Sequence, residues 1–126
     1  MIENFMANKA SLGWATADAF VQDSEDLSRF NDAEFDAVVM SLGIFMLRDP
    51  VAGATEMYRV LKPGGYIVVT TWKVRRAVDV VQGAVDAIQP NRGLKAVDMP
   101  LEWTTKEKLF SVMEKGGFSI DQMEIS

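Results

Sequence analysis

Side chains that could bind a small ligand come directly after two predicted β-strands. Ser41 and Leu42 stand at the end of the predicted strand 35–41, and Trp72 ends the predicted strand 65–72. In open α/β sheets, ligands bind at the carboxyl ends of the parallel strands. A tight exit from the strand would use the same residues, so the pattern leaves both interpretations open.

Three large apolar side chains near this edge could shape a pocket for a small molecule. They are Phe45, Met46 and Trp72. Aromatic and methionine side chains supply adaptable contact area for a ligand. Side chains of these types more often serve packing between a sheet and its helices, so the residue types alone do not separate a pocket from a core.

The chain contains no cysteine and no histidine. Without cysteine there is no disulfide, no thiolate nucleophile and no zinc site of the cysteine type, and we predict no metal. Without histidine there is no Ser-His-Asp triad and no imidazole base. Any proton transfer would therefore fall to a carboxylate, a lysine or a tyrosine.

The stretch Arg59–Trp72 gives the clearest structural prediction. Pro63 cannot extend a helix, and Gly64 and Gly65 allow backbone angles that other residues resist. The run Tyr66–Thr71 is β-branched or aromatic and shows no polar alternation. Such a run is typical of a strand that is covered on both faces, as in parallel sheets. We therefore predict an α/β fold.

The remaining patterns predict the other elements of a single domain over residues 1–126. Asp49 and Pro50 suit the N-cap and the first position of a helix, and Thr104 with Glu107 forms a capping-box pattern. Predicted helices cover residues 1–9, 50–61, 75–89 and 104–115, the last ended by Gly116–Gly117. Predicted strands cover residues 14–18, 35–41, 65–72 and 118–125, with a turn and short helix over 19–34.

Composition agrees with one globular domain. The chain has 126 residues, of which 48% are hydrophobic, and a net charge of −5. That length suffices to bury about two thirds of the unfolded surface. The negative charge argues against binding to nucleic acid or to anionic membranes. No apolar run approaches membrane-spanning length and no signal-peptide pattern opens the chain, so the cytosol is the predicted location.

The order of these motifs resembles that of Rossmann-like S-adenosylmethionine-dependent methyltransferases of the small-molecule type. Phe35–Ser41 is similar to the family's fourth strand, and Arg59–Trp72 is similar to the stretch that leads into its fifth strand. Thr16–Ala19 looks like the segment after its third strand. The resemblance implies a partial Rossmann-like methyltransferase fold, with a mostly parallel sheet flanked by helices, and methyl transfer to oxygen, nitrogen or carbon of a small molecule.

The resemblance also implies where the cofactor S-adenosylmethionine would bind. Asp18 would face the adenine amino group, and Ala19 would supply a backbone N–H. Ser41 and Leu42 would flank the methionine moiety, and the acceptor pocket would be shaped by Phe45, Met46 and Trp72. No catalytic residue is assigned. An exposed turn would also place an acid at position 18, so that interpretation stays open.

Part of the family pattern is missing before Asp18, where Gly13 is the only glycine. Relatives begin with two strands, a glycine-rich turn and an acidic residue that binds the ribose. Without those strands Phe35–Ser41 would become a sheet edge, although Val38 and Val39 are apolar. We therefore expect the truncated fold to be completed by a second copy or another protein, through dimerisation or exchanged elements.

Three functional hypotheses follow. The first is a methyltransferase-like enzyme that acts on a small molecule as a dimer, or one retooled for another small-molecule reaction. The second is a non-catalytic pseudoenzyme or regulatory subunit that completes a partner. The third is a fragment of a longer methyltransferase. A glycine-rich turn encoded directly upstream would favour the third, copurification with a full-length relative the second, and turnover by the pure chain the first.

Overall fold

The computed structural model describes residues 2–74, 76–90, 92–93, 95 and 100–125. Its helices are α1 (Ile2–Leu12), α2 (Pro50–Val60), α3 (Arg76–Ile88) and α4 (Lys106–Lys115), and its strands are β1 (Phe35–Ser41) and β2 (Leu61–Thr70). Short 3-10 turns lie at Ile44–Met46, Leu101–Thr104 and Ile120–Gln122. The two strands pair in parallel. The predicted α/β class is confirmed.

An irregularity interrupts the pairing where the sequence places two glycines. Hydrogen bonding of β2 to β1 begins at Leu61, is broken, and resumes at Tyr66. Gly64 has a φ of 78°, in the region that favours glycine. A Cβ on Gly65 would lie 2.8 Å from the carbonyl oxygen of Asp36 in β1, so the close approach of the two strands requires glycine. Strand β2 therefore begins before the glycines rather than after them.

The hydrophobic core lies on one face of the sheet, between the strands and helices α2 and α4. Ile44, Ala54 and Met57 are fully buried at its centre. The cluster is completed by Trp103, Val112 and Met113, with the sheet residues Val38, Met40, Ile67 and Val69 packed against it. Helix α2 therefore contributes Ala54 and Met57 to the core.

The opposite face of the sheet is exposed. Val39, Tyr66 and Val68 are 67%, 79% and 52% exposed, and exposure alternates along β2. Helices α1 and α3 contain no buried side chain, whereas α2 and α4 both pack on the core face of the sheet. The expectation of a strand covered on both faces is wrong for the described part of the chain, because nothing there covers the second face.

Three predicted elements do not form. Residues 14–18 are not a strand, and residues 19–34 contain turns without a helix. Residues 118–125 contain a 3-10 turn in place of a strand. A strand needs a neighbour for its backbone N–H and C=O groups. Among the described residues, neither segment 14–18 nor segment 118–125 pairs with β1 or β2.

Capping residues set where two helices begin. Asp49 caps α2 as predicted, because its carboxylate accepts hydrogen bonds from two backbone N–H groups at 3.0 and 3.1 Å. Helix α4 is capped by Thr105, whose hydroxyl accepts from the N–H of Lys108 at 3.3 Å. The predicted cap at Thr104, with Glu107 three residues on, is wrong by one position.

Arg59, near the end of α2, holds the irregular loop before β1. Its guanidinium donates to Glu56 at 2.8 Å and to Asp32 at 2.7 Å. It also donates to the carbonyl oxygens of Leu27 and Phe30 at 2.9 and 3.0 Å. Hydrogen bonds to both carboxylates raise the pKa of Arg59. These contacts give the loop a defined position although it lacks a helix or strand.

Acidification should weaken this contact through Glu56. The hydrogen bond from Arg59 holds the pKa of Glu56 below its ordinary value of 4.5, although burial opposes the shift. Its contribution to stability is therefore present above about pH 4.5 and is lost as the pH falls through the lowered folded value. We expect the free energy of unfolding of Glu56→Gln to fall less with acidification in that range, as measured by urea denaturation at several pH values.

Glu3→Gln, in the exposed first turn of α1, is the matched control and should show the acid dependence of the unmodified protein. An equally steep loss of stability below about pH 4.5 in Glu56→Gln would contradict the assignment.

Candidate functional site

The carboxyl ends of β1 and β2 meet at one edge and bring together two of the predicted cofactor residues. Ser41 lies opposite Thr70 in the parallel pair. The next residue, Leu42, donates its backbone N–H to Thr70 Oγ1 at 3.0 Å. Leu42 has a φ of 52°, which costs a residue with a Cβ about 1–3 kcal/mol. Conformations of this kind cluster at ligand-binding sites.

Two threonines at the end of β2 were not singled out from the sequence. Thr70 accepts the hydrogen bond that supports the backbone of Leu42. Thr71 donates from Oγ1 to the carbonyl oxygen of Trp103 at 2.9 Å, and so joins the strand exit to the turn before α4. The sequence feature that could have identified them is the pair of adjacent threonines at the end of an apolar strand. The partners of these hydroxyls lie 28 and 32 residues away.

The three predicted pocket residues have different environments. Phe45 is partly buried and packs against the core cluster. Met46 and Trp72 are exposed. Phe45 therefore has a packing role, whereas Met46 and Trp72 are accessible to a small molecule.

Asp18 and Ala19 lie in the irregular segment after α1. The Asp18 carboxylate is exposed and accepts from Lys9 Nζ at 2.5 Å through Oδ1. Ala19 is half-buried. Among the described residues, no hydrogen bond connects Asp18 or Ala19 with the edge formed by Ser41 and Leu42. The structure thus leaves the predicted site in two parts.

A groove of about 1050 Å³ lies elsewhere, along β2 and α4. None of the seven predicted site residues lines it. Its walls are largely apolar and include Ile67, Leu109, Phe118 and Met123, and Arg59 and Lys62 also line it. It lies beside the segment where the predicted last strand does not form. The candidate site lies at the carboxyl edge, because the strained Leu42 and the two threonines are there.

The described part of the chain bears on metal binding and on membrane-spanning helices. It holds no group of three or more histidine, cysteine, aspartate or glutamate side chains that could bind a metal ion. None of the helices in that part has both the length and the apolar character needed to cross a membrane.

Comparison with known proteins identifies relatives over part of their length. A demethylmenaquinone methyltransferase of Streptomyces avermitilis is 31% identical over 104 aligned positions, and the match covers 71% of this chain and 45% of the relative. The enzyme of that name from Clavibacter sepedonicus is 42% identical over 69 aligned positions, and the match covers 50% of this chain and 28% of the relative. The chain thus spans less than half the length of these relatives.

A solved structure shows which known fold the chain shares. The S-adenosylmethionine-dependent methyltransferase of Thermotoga maritima, described as a possible histamine N-methyltransferase, matches with a TM-score of 0.57 at 22% identity. The match covers 87% of this chain and 50% of that chain. The predicted partial Rossmann-like methyltransferase fold is confirmed. A family model described as a methyltransferase domain matches residues 1–69. Because this match covers more than half of the 126 residues, the chain belongs to the methyltransferase domain family.

Proposed function

We propose that the protein is an S-adenosylmethionine-dependent methyltransferase-like protein that acts on a small molecule. The observation that carries the proposal is the strained backbone of Leu42, supported by Thr70 at the carboxyl edge of the sheet. Ligands of open α/β sheets bind at this edge. Family membership and the fold of the Thermotoga maritima enzyme support the same reaction class.

The described residues fit part of the cofactor. The Asp18 carboxylate is exposed, and its contact with Lys9 uses Oδ1, so Oδ2 remains for the adenine amino group. Ser41 and Leu42 would lie beside the methionine moiety. When bound, S-adenosylmethionine supplies an electrophilic methyl group. The protein's part is to orient that group toward the acceptor.

The acceptor we propose is a small aromatic quinol, the reduced and electron-rich form of a quinone. Relatives are named demethylmenaquinone methyltransferases, and Met46 and Trp72 offer exposed apolar surface near the carboxyl edge. Because the chain has no histidine, a carboxylate, a lysine or a tyrosine would take any proton released. We also propose the cytosolic location that the sequence predicts.

Cofactor binding by this chain alone should be weak. The sequence before Asp18 has no glycine-rich turn and no carboxylate in the ribose-binding position of the family. Charge-assisted hydrogen bonds are worth roughly 1.5–3 kcal/mol each. Two missing bonds lower the affinity at least about a hundredfold. We expect a titration of the labelled protein with S-adenosylmethionine, followed by NMR, to shift the amides of Ala19 and Leu42 only at cofactor concentrations well above micromolar.

Asp18→Ala tests the adenine contact, with Asp121→Ala as the matched control at another exposed aspartate. Asp18→Ala should raise the cofactor concentration at which the amides shift, and Asp121→Ala should not. An unchanged titration of Asp18→Ala would make Asp18 a surface acid paired with Lys9. Micromolar affinity would contradict the argument from the missing groups. Amide shifts confined to other parts of the chain, or no shifts at millimolar cofactor, would overturn the proposed site.

A regulatory subunit without catalysis is the second candidate. Residues 1–17 contain a single glycine, Gly13, so this chain by itself would depend on another protein for the glycine-rich part of the cofactor site. Methyl transfer to a demethylated quinol would be measured with the pure chain and with a full-length methyltransferase to which the chain is added. Stimulation of the full-length enzyme without turnover by the chain alone would support this candidate.

A further inference from the structure

A short backbone turn links the end of β1 to the hydrophobic core. Ser41 pairs with Thr70 in the sheet and Ile44 is fully buried, so only Leu42 and Gly43 cross between these two anchored positions. Leu42 takes the left-handed conformation, with a φ of 52°, whereas Gly43 has a φ of −110°. Glycine thus stands beside the strained position and not at it. Leucine there has a conformational cost that glycine would avoid, and strain of this kind clusters at ligand-binding sites.

The Thr70 hydroxyl bonds directly to this strained residue. Its Oγ1 accepts the backbone N–H of Leu42 at 3.0 Å. The N–H would lose this acceptor if Leu42 relaxed to ordinary backbone angles, so the bond favours the left-handed conformation. The adjacent Thr71 has a different partner, since its Oγ1 donates to the carbonyl oxygen of Trp103 at 2.9 Å. Of the two hydroxyls at the end of β2, it is therefore that of Thr70 that acts on Leu42.

We propose that Thr70 is a positioning residue, which acts on bound S-adenosylmethionine through Leu42. It keeps Leu42 in the left-handed conformation in which that residue lies beside the methionine moiety. The inference rests on the proposed function. A ligand that binds one conformation has its apparent affinity reduced in proportion to the fraction of the protein in that conformation. A protein without the Thr70 hydroxyl should therefore keep its fold and bind the cofactor more weakly.

Two substitutions separate the hydroxyl from the rest of the Thr70 side chain. Thr70→Val removes the hydroxyl and keeps the β-branched shape that suits a strand, whereas Thr70→Ser keeps the hydroxyl. One hydrogen bond between neutral groups shifts an equilibrium by about 2–13-fold. We expect hydrogen exchange of the Leu42 amide, measured by NMR without cofactor, to be faster by about this factor in Thr70→Val and unchanged in Thr70→Ser. Thr55→Val, which removes a hydroxyl bonded to the carbonyl oxygen of Val51 within α2, is the matched control and should leave this exchange unchanged.

Titration with S-adenosylmethionine gives the functional readout. In Thr70→Val, the cofactor concentration that half shifts the Ala19 amide should rise by up to the same factor, about 2–13-fold. Thr70→Ser should titrate like the unmodified protein.

Two results would overturn the inference and leave the proposed function in place. One is unchanged exchange of the Leu42 amide in Thr70→Val. The other is faster exchange with an unchanged titration, because Thr70 would then support the fold alone. A lack of amide shifts in the unmodified protein would overturn the proposed function, and this inference with it.

Discussion

Replacing Met57 with alanine is expected to lower the free energy of unfolding by about 2–5 kcal/mol. Met57 is 1% exposed and belongs to the cluster that joins α2 to Ile44, Trp103 and Met113. Removing its side chain loses buried apolar contact and leaves a cavity that the surrounding helices fill only in part. Since the whole stability of a domain is about 5–15 kcal/mol, this one change could unfold the chain. Urea denaturation followed by circular dichroism measures it.

Met46→Ala is the matched control, because it removes the same atoms from a side chain that is 76% exposed. Its free energy of unfolding should stay within about 0.5 kcal/mol of that of the unmodified protein. Equal losses in the two variants would show that the core does not lie where α2, α4 and the sheet meet.

Replacing Gly116 with alanine should destabilise the protein by about 1–3 kcal/mol. Gly116 ends α4 where that helix crosses α2, and an added Cβ would lie 2.5 Å from Ala54 Cβ and 2.8 Å from its carbonyl carbon. Contacts that short do not occur, and the second one is with backbone, so one helix must move away from the other. The loss would appear as a lower midpoint of urea denaturation.

Gly83→Ala is the same substitution at a position where we expect the free energy of unfolding to stay unchanged or to rise. Gly83 lies inside α3, and an added Cβ there would meet no atom within 4 Å. Alanine favours a helix over glycine by about 0.5–1 kcal/mol. The variant should therefore be as stable as the unmodified protein or more stable. Destabilisation by Gly83→Ala and tolerance of Gly116→Ala would contradict the contact between α2 and α4.

The predictions that succeeded depend on residues close together in the chain. Asp49 as the cap of α2 and Gly116–Gly117 at the end of α4 are confirmed, since caps and stops involve one helical turn. The strand predictions for residues 14–18 and 118–125 are wrong. Strand pairing is not local, so a run of apolar residues does not show whether a neighbour exists for it.

In the candidate site too, the features predicted from the sequence are local, and those that only the structure shows depend on contacts between distant residues. The position of Ser41 and Leu42 after a predicted strand was enough to place them at the carboxyl edge, because parallel strands end together there. The left-handed backbone of Leu42 and its bond to Thr70 depend on a contact across 28 residues. The partner of Asp18 on α1 is likewise a tertiary contact, between residues nine apart in the chain.

The sequence by itself determined the α/β class, most of the helices and the family, because local patterns and the order of motifs carry that information. Only the tertiary structure decided which face of the sheet is covered. Apolar residues occupy both faces of β1 and β2, and their order along the chain says that both faces can be buried without saying what buries them. Helices α2 and α4 cover the face of Val38 and Ile67, and the face of Val39 and Val68 stays open because no described element packs on it.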